Sequence, residues 1–106
     1  MRRIAILGAG GWGTALAVHL GRIGHDVHLW ARDPALADEM VIRRANAVYL
    51  PDVTLPPNVR PETSLARATD GAELLISAVP LWRLDTPGGS VEDRAFQVWF
   101  TQSSPA

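Results

Sequence analysis

Three glycines near the N-terminus constrain the fold of this chain more than any other feature. Gly8, Gly10 and Gly13 form a GxGxxG pattern. The pattern follows a short apolar run at residues 3–7 and opens a segment of helical periodicity at residues 11–23. A short apolar run that ends at glycine is typical of a parallel strand buried on both faces. We therefore expect a strand, a tight glycine turn and a helix in direct succession.

Short apolar runs predict three further strands. They lie at residues 27–30, near Val59 and at residues 74–79. Because these runs alternate with helical segments, the pattern predicts a parallel sheet with right-handed crossovers. The predicted fold class is α/β, a partial Rossmann fold. We expect a doubly wound parallel sheet of about four strands with helices on both faces.

Capping residues indicate where the first two helices begin and end. Gly24 stands where a glycine in a left-handed conformation would end the first helix. Asp33 is a candidate N-cap and Pro34 suits the first position of a second helix, which we expect to continue to about Arg44.

The segment between the second helix and the last predicted strand carries turn signals. Residues 46–61 hold four prolines, so we expect a long ordered loop with a short strand only near Val59. After it, Thr63 or Ser64 caps a helix of one to two turns that ends at Gly71.

The position of the glycine pattern between a strand and a helix predicts a dinucleotide-binding turn. Gly8 would permit the tight turn, Gly10 would let the backbone approach a pyrophosphate, and Gly13 would let the helix pack closely on the strand. The N–H groups of Gly11 and Trp12 would face the anion, and the helix dipole would favour it.

Two residues after the second predicted strand leave the choice of cofactor open. Asp33 is at about the spacing expected of the acid that binds the ribose 2′-hydroxyl of NAD, although the following Pro34 favours a capping role. Arg32 lies at the same corner and suits the 2′-phosphate of NADP; the alternative is a solvated surface arginine. We expect NAD or NADP as the cofactor, and Arg32 favours NADP slightly.

Composition excludes several other classes of function. A formal net charge of -1 gives no basic field for nucleic acid, so no nucleic-acid partner is expected. The absence of cysteine removes disulfides, thiolate metal sites and cysteine nucleophiles. The histidines have no partners at metal-ligand spacing, so no metal is expected. No apolar run is long enough to span a membrane and no signal-like stretch follows the N-terminus, so we expect a cytoplasmic protein.

Several motifs together resemble NAD(P)-dependent glycerol-3-phosphate dehydrogenase. The motifs extend the glycine pattern or punctuate the loops, and they are GAGGWGTALA at 8–17, VHLWARDP at 27–34, Asn46, YLP at 49–51, LPPN at 55–58 and AVP at 78–80. The resemblance covers residues 1–80. It implies interconversion of dihydroxyacetone phosphate and sn-glycerol 3-phosphate by hydride transfer, in glycerophospholipid metabolism.

The resemblance also implies roles for individual residues. Gly11 and Trp12 would contact the cofactor pyrophosphate, Arg32 would lie at its adenosine end, and Tyr49 would help to close the cofactor pocket. Family members often carry serine or asparagine at the position of Gly11; glycine loses a side-chain hydrogen bond but keeps the backbone donor.

Beyond Pro80 the resemblance ends. We expect residues 1–80 to be the NAD(P)-binding Rossmann part and residues 81–106 to be a divergent tail, with the helical substrate domain of the family absent. A frameshift, a gene break or a genuine sequence would each account for the tail. We therefore expect no catalytic residues here, and glycerol 3-phosphate and dihydroxyacetone phosphate as partners only of full-length members.

Lysine is missing from the chain, and all ten of its basic residues are arginine. By resemblance, the family carries lysines that this chain lacks. Arginine stays protonated, so it is a poor donor of the proton that the reduced ketone requires. We expect the fragment to be inactive alone. The alternative function is a stand-alone dinucleotide-binding module, regulatory or inert.

The tail contains four aromatic residues, Trp82, Phe96, Trp99 and Phe100. One interpretation is that they cover a sheet edge that missing strands would leave open. The preferred interpretation is an accidental apolar tail that promotes aggregation, with self-association through an open sheet edge.

Overall fold

A computed structural model of the chain describes residues 1–78 and 97–100. In chain order the elements are β1 (Arg3–Leu7), α1 (Gly11–Arg22), β2 (Asp26–Trp30), α2 (Pro34–Arg43), β3 (Ala45–Asn46), β4 (Leu50–Thr54), β5 (Val59–Glu62), α3 (Leu65–Thr69), β6 (Leu74–Ser77) and β7 (Gln97–Phe100). The end of the last predicted strand, Trp82, Phe96 and the rest of the tail other than β7 lie outside the described residues.

The main sheet has the strand order β5-β2-β1-β6-β7. Strands β5, β2, β1 and β6 are parallel, which confirms the predicted sheet. Strand β7 pairs antiparallel with β6. The chain runs outwards from β1 through β2 to β5, then returns to β6 on the other side of β1. The strand order therefore reverses between β1 and β6, and ligands of open α/β sheets bind at the carboxyl ends of the strands at such a point.

Helices lie on both faces of the sheet, as predicted. Val59 of β5 is in register with Ile4 of β1, so their side chains lie on the same face of the sheet. A Cβ added at Gly21 of α1 would be 2.7 Å from the Val59 Cγ2, which places α1 on this face. On the other face, a Cβ added at Gly71, just after α3, would be 3.6 Å from the Arg3 Cδ. Because Arg3 and Ile4 are successive strand residues, α1 and the end of α3 lie on opposite faces.

Apolar side chains from the strands and the first two helices form the core. Burial of this surface is the main favourable term in folding. The residues of this core with 2% or less of their surface exposed are Ile4, Ile6, Ala17, Val27, Leu29, Ala31, Ala37, Met40, Leu55 and Val59.

The predicted helix caps are confirmed. Gly24 has a φ of 102° after α1, and Gly71 has a φ of 69° after α3. The Asp33 Oδ1 accepts a hydrogen bond of 3.0 Å from the Ala35 N–H at the start of α2. Ser64, rather than Thr63, caps α3. No helix in the described part of the chain has the length and apolar character needed to cross a membrane.

The expectation of a single ordered loop after α2 is wrong for residues 45–54. Strands β3 and β4 pair antiparallel there, with Ala45 opposite Thr54 and Asn46 opposite Leu50. The Leu55 N–H then donates a 2.7 Å hydrogen bond to the Arg44 carbonyl. A strand of two residues shows no alternation in the sequence, and Pro51 argues against a strand, so the pattern held no signal for this hairpin.

The two edges of the main sheet differ. Strand β7 pairs along β6, so the tail segment that contains Trp99 and Phe100 covers that edge, in agreement with the first of the two interpretations of the tail. At the opposite edge, β5 contains Pro61, which has no N–H to donate to another strand. Self-association through a sheet edge stays a prediction.

Helix α1 packs against the turn after β1 at the closest approach that a glycine permits. A Cβ added at Gly13 would be 1.9 Å from the Gly8 carbonyl oxygen and 3.1 Å from the Ala78 Cβ. A side chain at this position would therefore separate α1 from the strands.

We expect Gly13→Ala to lower the free energy of unfolding by about 3 kcal/mol or more, because the clash is with backbone that cannot move aside. Chemical denaturation followed by circular dichroism measures the change. Gly10→Ala is the control, since a Cβ there meets nothing within 4 Å. Its effect should stay below about 1 kcal/mol, the usual difference between N-cap residues. Equal destabilisation by the two substitutions would contradict the close packing.

Candidate cofactor-binding site

The glycine turn lies at the carboxyl end of β1, where the strand order reverses. Gly8 has a φ of 119°, a conformation that side chains disfavour, and its N–H donates a 2.9 Å hydrogen bond to the Trp30 carbonyl of β2. On the other side, the Ala78 N–H donates to the Leu7 carbonyl at 2.7 Å. The turn is therefore held between the ends of both neighbouring strands.

The first turn of α1 presents an electropositive helix terminus to open space. Gly10 is the N-cap, has extended backbone angles and supplies no side-chain hydrogen bond to the helix. No acidic residue lies in the first turn. A Cβ added at Gly10 would meet nothing within 4 Å. Such a terminus suits an anion, because the backbone N–H groups and the helix dipole point towards it.

Arg32 and Asp33 follow β2, next to the glycine turn in the sheet. The Asp33 carboxylate caps α2 through the Ala35 N–H, so one of its oxygens already has a partner. Arg32 is exposed, and within residues 1–78 its side chain has neither an ion pair nor a hydrogen bond. A guanidinium beside the glycine turn can donate two hydrogen bonds to a phosphate.

Tyr49 and Asp33 border the same groove. The groove has a volume of about 210 Å³ and lies between the start of α2 and the turn at residues 47–49, with Asp33, Ala35, Leu36, Glu39, Val48 and Tyr49 along its walls. Tyr49 and Trp12 are about half exposed. The structure thus places Tyr49 beside the corner that the resemblance assigns to the adenosine end.

Asn46 is buried at the centre of these segments, with 1% of its surface exposed. Its Nδ2 donates to the Ala9 carbonyl at 2.8 Å and to the Thr14 Oγ1 at 2.9 Å. Its Oδ1 accepts from the Tyr49 N–H at 3.2 Å. The sequence marked Asn46 only as part of a family motif, because an asparagine after a helix is usually a surface or turn residue.

The turn at residues 47–49 also approaches the helix directly. A Cβ added at Gly11 would be 3.3 Å from the Tyr49 carbonyl oxygen, which is a tight contact. Gly11 therefore lets the turn lie close to the N-terminus of α1.

The structure brings the eight predicted site residues to the carboxyl end of the parallel strands. Five of them form the glycine turn and the start of α1, two follow the neighbouring strand, and one is carried by the turn after β3: Gly8, Gly10, Gly11, Trp12, Gly13, Arg32, Asp33 and Tyr49. The open terminus at Gly10 fits a phosphate-bearing ligand, and so does Arg32, whose side chain has no partner in the described part of the chain. Their roles in binding stay predictions.

Comparison with known proteins identifies a family. Residues 3–87 match the family model described as the N-terminus of NAD-dependent glycerol-3-phosphate dehydrogenase. A glycerol-3-phosphate dehydrogenase (NAD(P)+) of Desulfitobacterium hafniense strain Y51 is 51% identical over 80 residues, which cover 76% of this chain and 22% of the relative. One of Koribacter versatilis strain Ellin345 is 46% identical over 81 residues, covering 76% and 24%.

Solved structures agree with the sequence comparison. The crystal structure of glycerol-3-phosphate dehydrogenase from Coxiella burnetii superposes with a TM-score of 0.66 at 40% identity, over 68% of this chain and 22% of that one. The Plasmodium falciparum enzyme gives a TM-score of 0.69 at 31% identity, over 79% and 26%.

The matched region identifies the family and shows how much of the relatives' length this chain corresponds to. The chain spans about a quarter of the length of the curated relatives that it matches. The match includes the glycine turn, the corner after β2 and the hairpin, and it confirms the resemblance inferred from the motifs. This chain belongs to the family of the N-terminal domain of NAD-dependent glycerol-3-phosphate dehydrogenase.

Proposed function

We propose that this chain binds NAD or NADP and corresponds to the cofactor-binding part of a glycerol-3-phosphate dehydrogenase. The observation that carries the proposal is the contrast between two glycines of one motif. Gly13 is enclosed by backbone, whereas the position of a Cβ at Gly10 is open. A pyrophosphate at the N-terminus of α1 would occupy that open space, against backbone N–H groups.

The corner after β2 would receive the adenosine end of the cofactor. Asp33 already caps α2, whereas Arg32 has no partner among residues 1–78, and this difference supports NADP over NAD. The groove between Asp33 and Tyr49 would hold adenosine, with the Tyr49 ring as one wall.

The reaction of the relatives is the reduction of a ketone or its reverse, and it requires a group that protonates or polarises the substrate oxygen. These 106 residues contain no lysine. Cofactor binding without turnover is therefore the proposed behaviour of this chain. The same two observations, a well-formed glycine turn and no lysine, also support the alternative of a stand-alone dinucleotide-binding module.

An activity measurement tests the expected absence of turnover. We expect the purified chain, mixed with NADPH and dihydroxyacetone phosphate, to leave the absorbance of the reduced cofactor unchanged. A full-length relative, such as the Coxiella burnetii enzyme, serves as the positive control. Oxidation of NADPH that depends on dihydroxyacetone phosphate would show that the chain is an enzyme by itself.

Gly10→Ala tests the position of the pyrophosphate. Since the added methyl group would fill space that the ligand needs, we expect the affinity for NADPH to fall by about tenfold or more, while the fold is retained. Isothermal titration calorimetry measures the affinity. Unchanged NADPH binding by a folded Gly10→Ala variant would place the pyrophosphate elsewhere.

Arg32→Gln tests the choice between the two cofactors. Loss of a charge-assisted contact to the 2′-phosphate should weaken NADPH binding by about tenfold and leave NADH binding within about twofold. Arg67, an exposed arginine on α3, provides the control substitution Arg67→Gln. Equal losses for NADPH and NADH, or none, would contradict a role of Arg32 in recognising the 2′-phosphate.

A further inference from the structure

We propose that Asn46 is a positioning residue of the cofactor site, which holds the glycine turn and the turn at residues 47–49 in one fixed arrangement before the cofactor binds. The identity of the ligand, NAD or NADP, rests on the proposed function. Its structural basis is that a single buried amide bonds to both segments.

The chemistry of its partners fixes the orientation of the Asn46 amide. A carbonyl oxygen can only accept and a backbone N–H can only donate. The amide nitrogen must therefore face the Ala9 carbonyl, and the amide oxygen must face the Tyr49 N–H. An asparagine meets both requirements at once. A leucine of similar size meets neither, and an aspartate carboxylate meets only the second.

The third partner extends the connection into the helix. The Thr14 side chain is fully buried, and its Oγ1 accepts from the same amide nitrogen that bonds to Ala9. Thr14 also begins the backbone ladder of α1, since its N–H donates to the Gly10 carbonyl at 3.0 Å. Asn46 is thus joined to the residues on either side of the open helix terminus.

The Tyr49 backbone is held from two sides. Its N–H bonds to Asn46, and its carbonyl oxygen lies 3.3 Å from where a Cβ of Gly11 would be. The separation between the α1 terminus and the Tyr49 backbone is therefore set without a ligand. A preformed site binds more tightly because less ordering remains to be done on binding.

Asn46→Asp removes one hydrogen bond of Asn46 and keeps another. The carboxylate still accepts from the Tyr49 N–H, but it cannot donate to the Ala9 carbonyl. At about pH 8 we expect the NADPH affinity of the folded protein to fall by about tenfold. Burial raises the pKa of a carboxyl group, and once protonated the group can donate to Ala9 again. Relative to the wild-type chain at the same pH, the affinity should therefore recover as the pH falls towards about 5.

Two variants control for loss of stability. Asn58 is a second structural asparagine, whose Nδ2 donates to the carbonyls of Gly21 and His25 at 2.7 Å each, at the far end of α1. Asn58→Asp should destabilise the fold but leave the affinity of the folded protein within about twofold at either pH. Asn46→Ala should weaken binding at both values, because an alanine cannot be rescued by protonation.

The fraction of folded protein is measured by circular dichroism, and affinities are corrected for it. Amide hydrogen exchange of the free chain gives a readout that needs no ligand: Asn46→Ala should speed exchange in residues 8–14 and 47–49 relative to Asn58→Asp. This measurement remains available if Asn46→Asp does not fold at neutral pH.

The outcomes separate the proposal from the proposed function. If the wild-type chain binds neither NADPH nor NADH, the proposed function is wrong, and a cofactor-positioning role is wrong with it. If the wild-type binds and the Asn46 variants bind as tightly as Asn58→Asp, only the positioning role is wrong. Equal exchange rates in the two segments for Asn46→Ala and Asn58→Asp would also overturn it.

Discussion

The contact between Gly13 and the Gly8 carbonyl is the constraint on which the rest of the structure depends. It places α1 directly on the turn after β1, so close that no side chain fits between them. Because the helix starts there, its N-terminus is fixed at the carboxyl end of the sheet, where the strand order reverses. The packing of this helix therefore also fixes the position of the proposed anion site.

The second organising contact is made by side chains rather than backbone. Strand β3 is only two residues long, yet it brings Asn46 into the interior, where the amide bonds to the glycine turn and to the Tyr49 N–H. The small hairpin is therefore part of the proposed site, although it is outside the main sheet. Turns at the carboxyl ends of strands commonly carry function in this way, positioned by a rigid scaffold.

The two halves of the site differ in how much of them the sequence revealed. The glycine turn, the caps at Asp33 and Gly24 and the parallel strands were predictable, because each depends on residues adjacent in the chain. The hairpin was not predictable, because its strands are short and have no periodicity. The pairing of β7 with β6 was not predictable, because it joins segments that are far apart in the sequence. The burial of Asn46 belongs to the same class, since no local pattern distinguishes a buried asparagine from an exposed one.

The sequence by itself determined the fold class, the family and the positions where glycine is required. Local sterics require glycine where the chain turns with positive φ or where a helix touches a strand. Only the tertiary structure decided which glycine leaves space for a ligand and which leaves none, that Arg32 has no partner within residues 1–78, and that Asn46 joins two turns. The physical reason is that free space and hydrogen-bond partners are properties of segments brought together by folding. No spacing along the chain encodes them directly.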